Sequence, residues 1–170
     1  SCLVGSEMCI RDRIYTHDNT CTDIFMEDAM QTDTSESLEK DEVVVSFGRC
    51  SLKPEFIDTF YEIFLASSPK IAPMFANTDM SKQKGLLKQG INMLLLYAKG
   101  SPTGKSAVRR LTESHSKKNL DIAPDMYPLW LDSLMKAVSI TDPEFNPVLE
   151  QQWRSRLKIG IEAMKDGYES

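Results

Sequence analysis

The segment FYEIFLASSPKIAPMF, residues 60–75, decides the fold, because it shows where a helix ends and a tight corner follows. Its apolar residues continue a stripe that starts at Phe56 and recurs every three or four residues, the spacing of one helix face. Lys53-Pro54-Glu55 places a proline and an acid in the first turn, where both stabilise a helix. Ser67-Ser68-Pro69 ends this helix, and a corner that contains two prolines closes at Phe75.

Apolar stripes of helical spacing recur along the rest of the chain. The next helix is capped by Thr78 or Asp79, and its predicted apolar face consists of Leu86, Leu87, Ile91, Leu94 and Leu95. Residues 100–104, GSPTG, predict a loop, and a helix from Lys105 to about Ser116 follows. Two further stripes run from Met126 to Val138 and from near Pro147 to Tyr168. With no repeat and no hairpin signal, the pattern predicts an all-α domain of about six to eight helices.

The N-terminal part has a different composition. Residues 1–13 do not begin with methionine, show no periodicity and resemble a translated adapter scar, so we exclude them from the fold. Residues 1–41 as a whole are expected to be a disordered leader, partly artefactual, because few large apolar residues follow the scar. The folded domain is therefore predicted over 42–170. Its first apolar run, at Val43–Phe47, favours a strand by propensity, but it has no partner strand, so a short helix is expected.

Composition excludes several classes of function. The chain has 170 residues, 41% hydrophobic and 26% charged, which suits one soluble domain with a core. The net charge of -5 argues against nucleic acid as a partner, and no apolar run is long enough to span a membrane. Cys2, Cys9, Cys21 and Cys50 form no CxxC pair, so zinc and disulfides are not expected and the thiols suggest a cytoplasmic protein.

Three side chains carry the possible chemistry. His115 and His17 are the two histidines, and His17 lies in the leader, so a site that needs a histidine cluster is not available. One imidazole is enough to ligate haem iron, although a surface position beside two lysines is the simpler interpretation of His115. Gln83 shares a helix face with Leu87 and can donate a hydrogen bond, but it also suits a solvated first turn. Tyr61 can donate from its phenol or serve only as a core aromatic.

In this order, these residues resemble the globin family, and within it the single-domain and flavohaemoglobin branch. The resemblance covers Val43 to Tyr168 and implies a globin fold, a 3-over-3 helical sandwich with a flexible N-terminal extension. It implies haem b as cofactor, with His115 as the iron ligand and Tyr61 and Gln83 as distal ligand-binding residues. It also assigns the walls of the haem pocket, namely Phe75, Leu87, Leu111 and Tyr127.

The resemblance leaves three classes of function open. The first is reversible binding of dioxygen, and of NO or CO, as an oxygen store, carrier or sensor. The second is an NO dioxygenase or peroxidase served by a separate reductase, because we expect no flavin or NAD domain after Ser170. Glu162 is the candidate for the glutamate with which such enzymes polarise the proximal histidine. The third is a haem-free module that binds a protein partner.

Overall fold

The computed structural model describes residues 41–169, so the predicted leader lies outside the described residues except for Asp41. This part of the chain folds into seven helices and contains no strand. They are α1 (Glu42–Ser51), α2 (Glu55–Ala66), α3 (Ile71–Met74), α4 (Met80–Ala98), α5 (Pro102–His115), α6 (Met126–Thr141) and α7 (Pro147–Asp166). The prediction of an all-α domain is confirmed. None of these helices is long and apolar enough to cross a membrane.

Polar side chains cap the starts of three of the seven described helices, α1, α4 and α7. The Asp79 carboxylate accepts hydrogen bonds from the backbone N–H groups of Ser81 and Lys82, which fixes the start of α4. Asn146 caps α7 in the same way. Asp41 accepts from the N–H of Val44, so this residue, assigned to the leader from sequence, begins α1.

The prediction of a loop over residues 100–104 is wrong for most of that range. Gly100 has a φ of 78°, which ends α4, but α5 already begins at Pro102. Proline is favourable in a first helical turn, because its missing N–H is not needed there. A Cβ on Gly104 would collide with the backbone of Leu96 and Tyr97 in α4. This glycine therefore permits the close approach of α4 and α5 and is not a loop signal.

The core forms where α2 packs on α6 and where α4 packs on α5 and α7. Trp153, Phe56, Phe60, Leu134 and Leu157 are all fully buried. A cluster of polar side chains from α1, α7 and the end of α6 lies beside these residues. The Ser46 hydroxyl donates to an Asp142 carboxylate oxygen at 2.5 Å, Arg49 donates from Nε to the other oxygen at 2.6 Å, and the Trp153 indole donates to Ser46 at 3.0 Å. These hydrogen bonds connect α1 to α7 and to the end of α6.

Candidate functional site

One large cavity lies inside the helical domain, with a volume of about 770 Å³. This is within the usual range for cofactor sites. Helices α2, α4, α5, α6 and α7 all contribute to its walls, which are mostly apolar and aromatic. The seven residues predicted from sequence to form the site, which came from separate segments, all line this cavity: Tyr61, Phe75, Gln83, Leu87, Leu111, His115 and Tyr127.

His115 is the last residue of α5 and is held by its own helix. Its Nδ1 atom lies 2.9 Å from the carbonyl oxygen of Leu111 and 3.0 Å from the Ser114 hydroxyl oxygen. The Ser114 hydroxyl itself donates to the Leu111 carbonyl, so both acceptors draw the imidazole proton to Nδ1. Burial lowers the pKa of His115, although the Leu111 hydrogen bond opposes that shift. The ring is therefore neutral at pH 7, with its lone pair on Nε2.

Tyr61 and Gln83 meet at another part of the cavity wall. The Tyr61 hydroxyl lies 3.5 Å from the backbone carbonyl oxygen of Gln83, which is a long and weak hydrogen bond. Burial raises the pKa of Tyr61, so its side chain is a phenol and not a phenolate at pH 7. Both the phenol and the Gln83 amide are hydrogen-bond donors, and Gln83 is half-buried at the start of α4.

The remaining predicted residues form the apolar walls. Phe75 packs edge-on against Tyr61, with ring centroids 5.8 Å apart, and against Phe64 at 6.1 Å. Leu87 and Tyr127 are buried, and Leu111 is half-buried. Burial raises the pKa of Tyr127 to about 12. These side chains shield the polar donors from bulk water, which strengthens hydrogen bonds made inside the cavity.

The sequence interpretation missed some lining residues and misplaced others. Arg110 lines the cavity, and helical spacing provided the signal, because Ala107, Arg110, Leu111 and Ser114 lie on one face of α5. Leu86 was predicted to be buried, but 59% of its surface is exposed at the cavity rim.

Glu162 does not occupy the position that the enzyme hypothesis needs. Its carboxylate pairs with Lys165 at 3.1 Å and it does not line the cavity. On this helix, the cavity is lined by Ile161 and Met164, both buried. The assignment of Glu162 as a partner of His115 is therefore wrong. Among the described residues, the partner of Nδ1 is a backbone carbonyl beside a serine hydroxyl.

Comparison with known proteins identifies the family. No protein-family model matches the chain, and no curated protein does. A solved structure does match, that of a protein from Pseudomonas aeruginosa PAO1 described as structurally highly homologous to a human hemoglobin. It shares 45% sequence identity, with a TM-score of 0.74, over 76% of this chain and 98% of that one.

The chain belongs to the globin family. The residues around the cavity of this globin fit a haem in two respects. The cavity is lined by one imidazole and, within residues 41–169, by no carboxylate, so a metal bound by His115 would need a group that supplies its other ligands. Haem iron is held in this way by a single proximal histidine in globins. The walls also supply the apolar surface that a flat macrocycle requires.

Proposed function

We propose that this globin binds haem b in the cavity and reversibly binds dioxygen there, as an oxygen store, carrier or sensor. NO and CO are expected to bind at the same place. The observation that carries the proposal is the state of His115. A neutral imidazole has its proton held on Nδ1 by the Leu111 carbonyl, so Nε2 is available as a ligand in an apolar cavity.

His115 would hold the iron, and haem supplies a ferrous centre to which diatomic gases bind. The Leu111 and Ser114 contacts orient the ring before the cofactor arrives, so little side-chain entropy is lost on binding. A carbonyl partner leaves the imidazole neutral, whereas a carboxylate partner would make it a stronger electron donor. This difference favours gas binding over peroxidase-type chemistry.

Tyr61 and Gln83 would stabilise dioxygen by donating hydrogen bonds to it. The raised pKa of Tyr61 keeps its proton available for donation. Its bond to the Gln83 carbonyl is long enough, at 3.5 Å, to be exchanged for a better acceptor. Two donors in a site of low dielectric predict slow release of dioxygen and high affinity.

The walls would protect the bound gas by excluding water. Phe75, Leu87, Leu111 and Tyr127 each line the cavity, and none is fully exposed. Their bulk limits access of protons and water, which promote oxidation of ferrous haem. The same exclusion strengthens each hydrogen bond to the ligand.

The experiment is reversible oxygenation of the hemin-reconstituted protein. The reduced protein is exposed to air, flushed with argon and exposed again, while its absorption spectrum is followed. Repeated cycling between two spectra supports the proposal. Failure to take up hemin, or oxidation in the first cycle, contradicts it. Catalytic turnover of NO to nitrate with a supplied reductase would instead favour the NO dioxygenase hypothesis.

A further inference from the structure

Arg110 is the one permanently charged side chain among the described residues that line the cavity. It is exposed to solvent, so it belongs to the rim. Within residues 41–169, its guanidinium forms no ion pair and no hydrogen bond. A guanidinium carries five N–H donors in a fixed fork that matches a carboxylate. At the edge of an apolar cavity it is therefore suited to an anionic part of the ligand.

The position of Arg110 relative to His115 suits one extended ligand. The two residues are five positions apart in α5, which corresponds to about 7.5 Å along the helix axis. Both line the same cavity, together with Leu111 and Ser114 between them. A ligand held at its centre by His115 would therefore reach the guanidinium with its edge.

Helix α4 supplies no cation to this rim. Lys84 pairs with Asp58 at 2.6 Å, and Lys88 donates to the backbone carbonyl of Ser51 at 2.9 Å. The α4 residues that do line the exposed rim are Leu86 and Gln89. Only Gln89 of these can donate a hydrogen bond, and it is uncharged. Among the described residues that line the cavity, the cationic partner of an anion is therefore in α5.

We propose that Arg110 binds the ionised carboxylate of an otherwise apolar ligand in the cavity. This inference rests on the proposed function, in which that ligand is haem and the carboxylate is one of its two propionates. A long-chain fatty acid has the same chemistry, an apolar body with one carboxylate. The contact predicts that haem dissociates more slowly from the wild-type protein than from a variant that lacks this guanidinium.

The test measures the rate of hemin transfer to an excess of an apo-haem acceptor protein, for wild type, Arg110→Gln and Arg109→Gln. Arg109 is the matched control, because it is exposed and adjacent but does not line the cavity. Arg110→Gln should accelerate transfer about twofold to fivefold, the range for an exposed ion pair, and Arg109→Gln should leave it unchanged. The difference should shrink at high salt.

Hemin dimethyl ester, whose carboxylates are blocked, provides the decisive arm. With this ester, wild type and Arg110→Gln should release the cofactor at the same rate. Equal rates for the two variants with hemin, or an undiminished difference with the ester, would overturn the inference while leaving haem binding intact.

A separate arm titrates the apoprotein with palmitate. If wild type takes up no hemin, the proposed function fails. Palmitate binding that Arg110→Gln weakens would still support the carboxylate inference, and absence of binding by both ligands would overturn it too.

Discussion

The Nδ1 atom of His115 lies 2.9 Å from the carbonyl oxygen of Leu111, one turn earlier in the same helix. The contact lies near the C-terminal end of α5, where a histidine side chain can donate to a backbone carbonyl of the last turns. The contact therefore has two effects: it stabilises the end of α5, and it fixes the tautomer of the imidazole ring. The same two atoms link local helix structure to the chemistry of the cavity.

Replacing Tyr61 with phenylalanine should speed the dissociation of dioxygen. The change removes one donor from the cavity and keeps the ring that contacts Phe60 and Phe75. Loss of one hydrogen bond of about 1 to 1.4 kcal/mol predicts a rate increase of about fivefold to tenfold. Stopped-flow displacement of dioxygen by CO measures it.

Tyr97→Phe is the matched control for that experiment. Tyr97 is half-buried in α4 and does not line the cavity. The Tyr97→Phe variant should therefore release dioxygen at the wild-type rate. An unchanged rate in Tyr61→Phe would show that the phenol does not stabilise the ligand.

Gly104→Ala should destabilise the fold. The added methyl group would collide with the backbone of Leu96 and Tyr97, so α4 and α5 would have to separate. Overpacking of this kind costs about 1 to 3 kcal/mol in the free energy of unfolding, measured by urea denaturation. Gly48→Ala is the control, because no heavy atom lies within 4 Å of its added Cβ and alanine favours the helix by up to about 1 kcal/mol. Equal effects of the two substitutions would refute the close approach.

Gly104 also shows the limit of sequence interpretation in this domain. Stripe periodicity located α2, α4, α6 and α7, because each buries one face along its length. The start of α5 was missed because a proline between two nearby glycines, as in residues 100–104, indicates a turn in sequence. Only the three-dimensional crossing reveals that this glycine makes room for another helix.

Removing the Asp142 carboxylate should be strongly destabilising. This side chain is completely buried and accepts from Ser46 and Arg49. Asp142→Ala would therefore leave the buried Ser46 hydroxyl without its acceptor and the part-buried Arg49 without its closest anionic partner. We expect a loss of about 3 kcal/mol in the free energy of unfolding. Glu144→Ala should cost less than about 1 kcal/mol, because Glu144 also pairs with Arg49 but is 63% exposed. A similar loss in both variants would contradict a special role for the buried carboxylate.

Asp41 should make the stability of the domain depend on pH in the acid range. Burial alone would raise its pKa, but hydrogen bonds from Lys99 and Arg156 outweigh burial and lower the pKa to about 2. The pKa in the unfolded chain is about 3.8, so the unfolded state binds the proton first. The contribution of Asp41 is thus complete above that value and is lost as pH falls towards 2. Thermal unfolding of Asp41→Asn should show a weaker decline over this range, and an unchanged decline would exclude Asp41 as its source.

The sequence predicted which residues form the candidate site better than it predicted which way individual helical side chains point. Tyr61, Phe75, Gln83 and His115 could be selected because, in this order along the chain, they resemble the site residues of the globin family, and all four line one cavity. Arg110 was missed although its helical spacing from Ala107 and Ser114 was visible in the sequence. The side to which Glu162 points could not be settled, because it depends on the rotation of a helix about its own axis. An error of one residue in that rotation exchanges an exposed side chain for a cavity-lining one.

The central claim is that His115 is the residue through which the protein holds haem iron. The most direct test is the absorption spectrum of the reduced, hemin-reconstituted protein with CO, for wild type, His115→Gly, and His115→Gly with added imidazole. We predict a sharp CO band in wild type, its shift or loss in the variant, and its recovery with imidazole, while circular dichroism shows the same helical content. The same CO band in His115→Gly as in wild type would contradict the account.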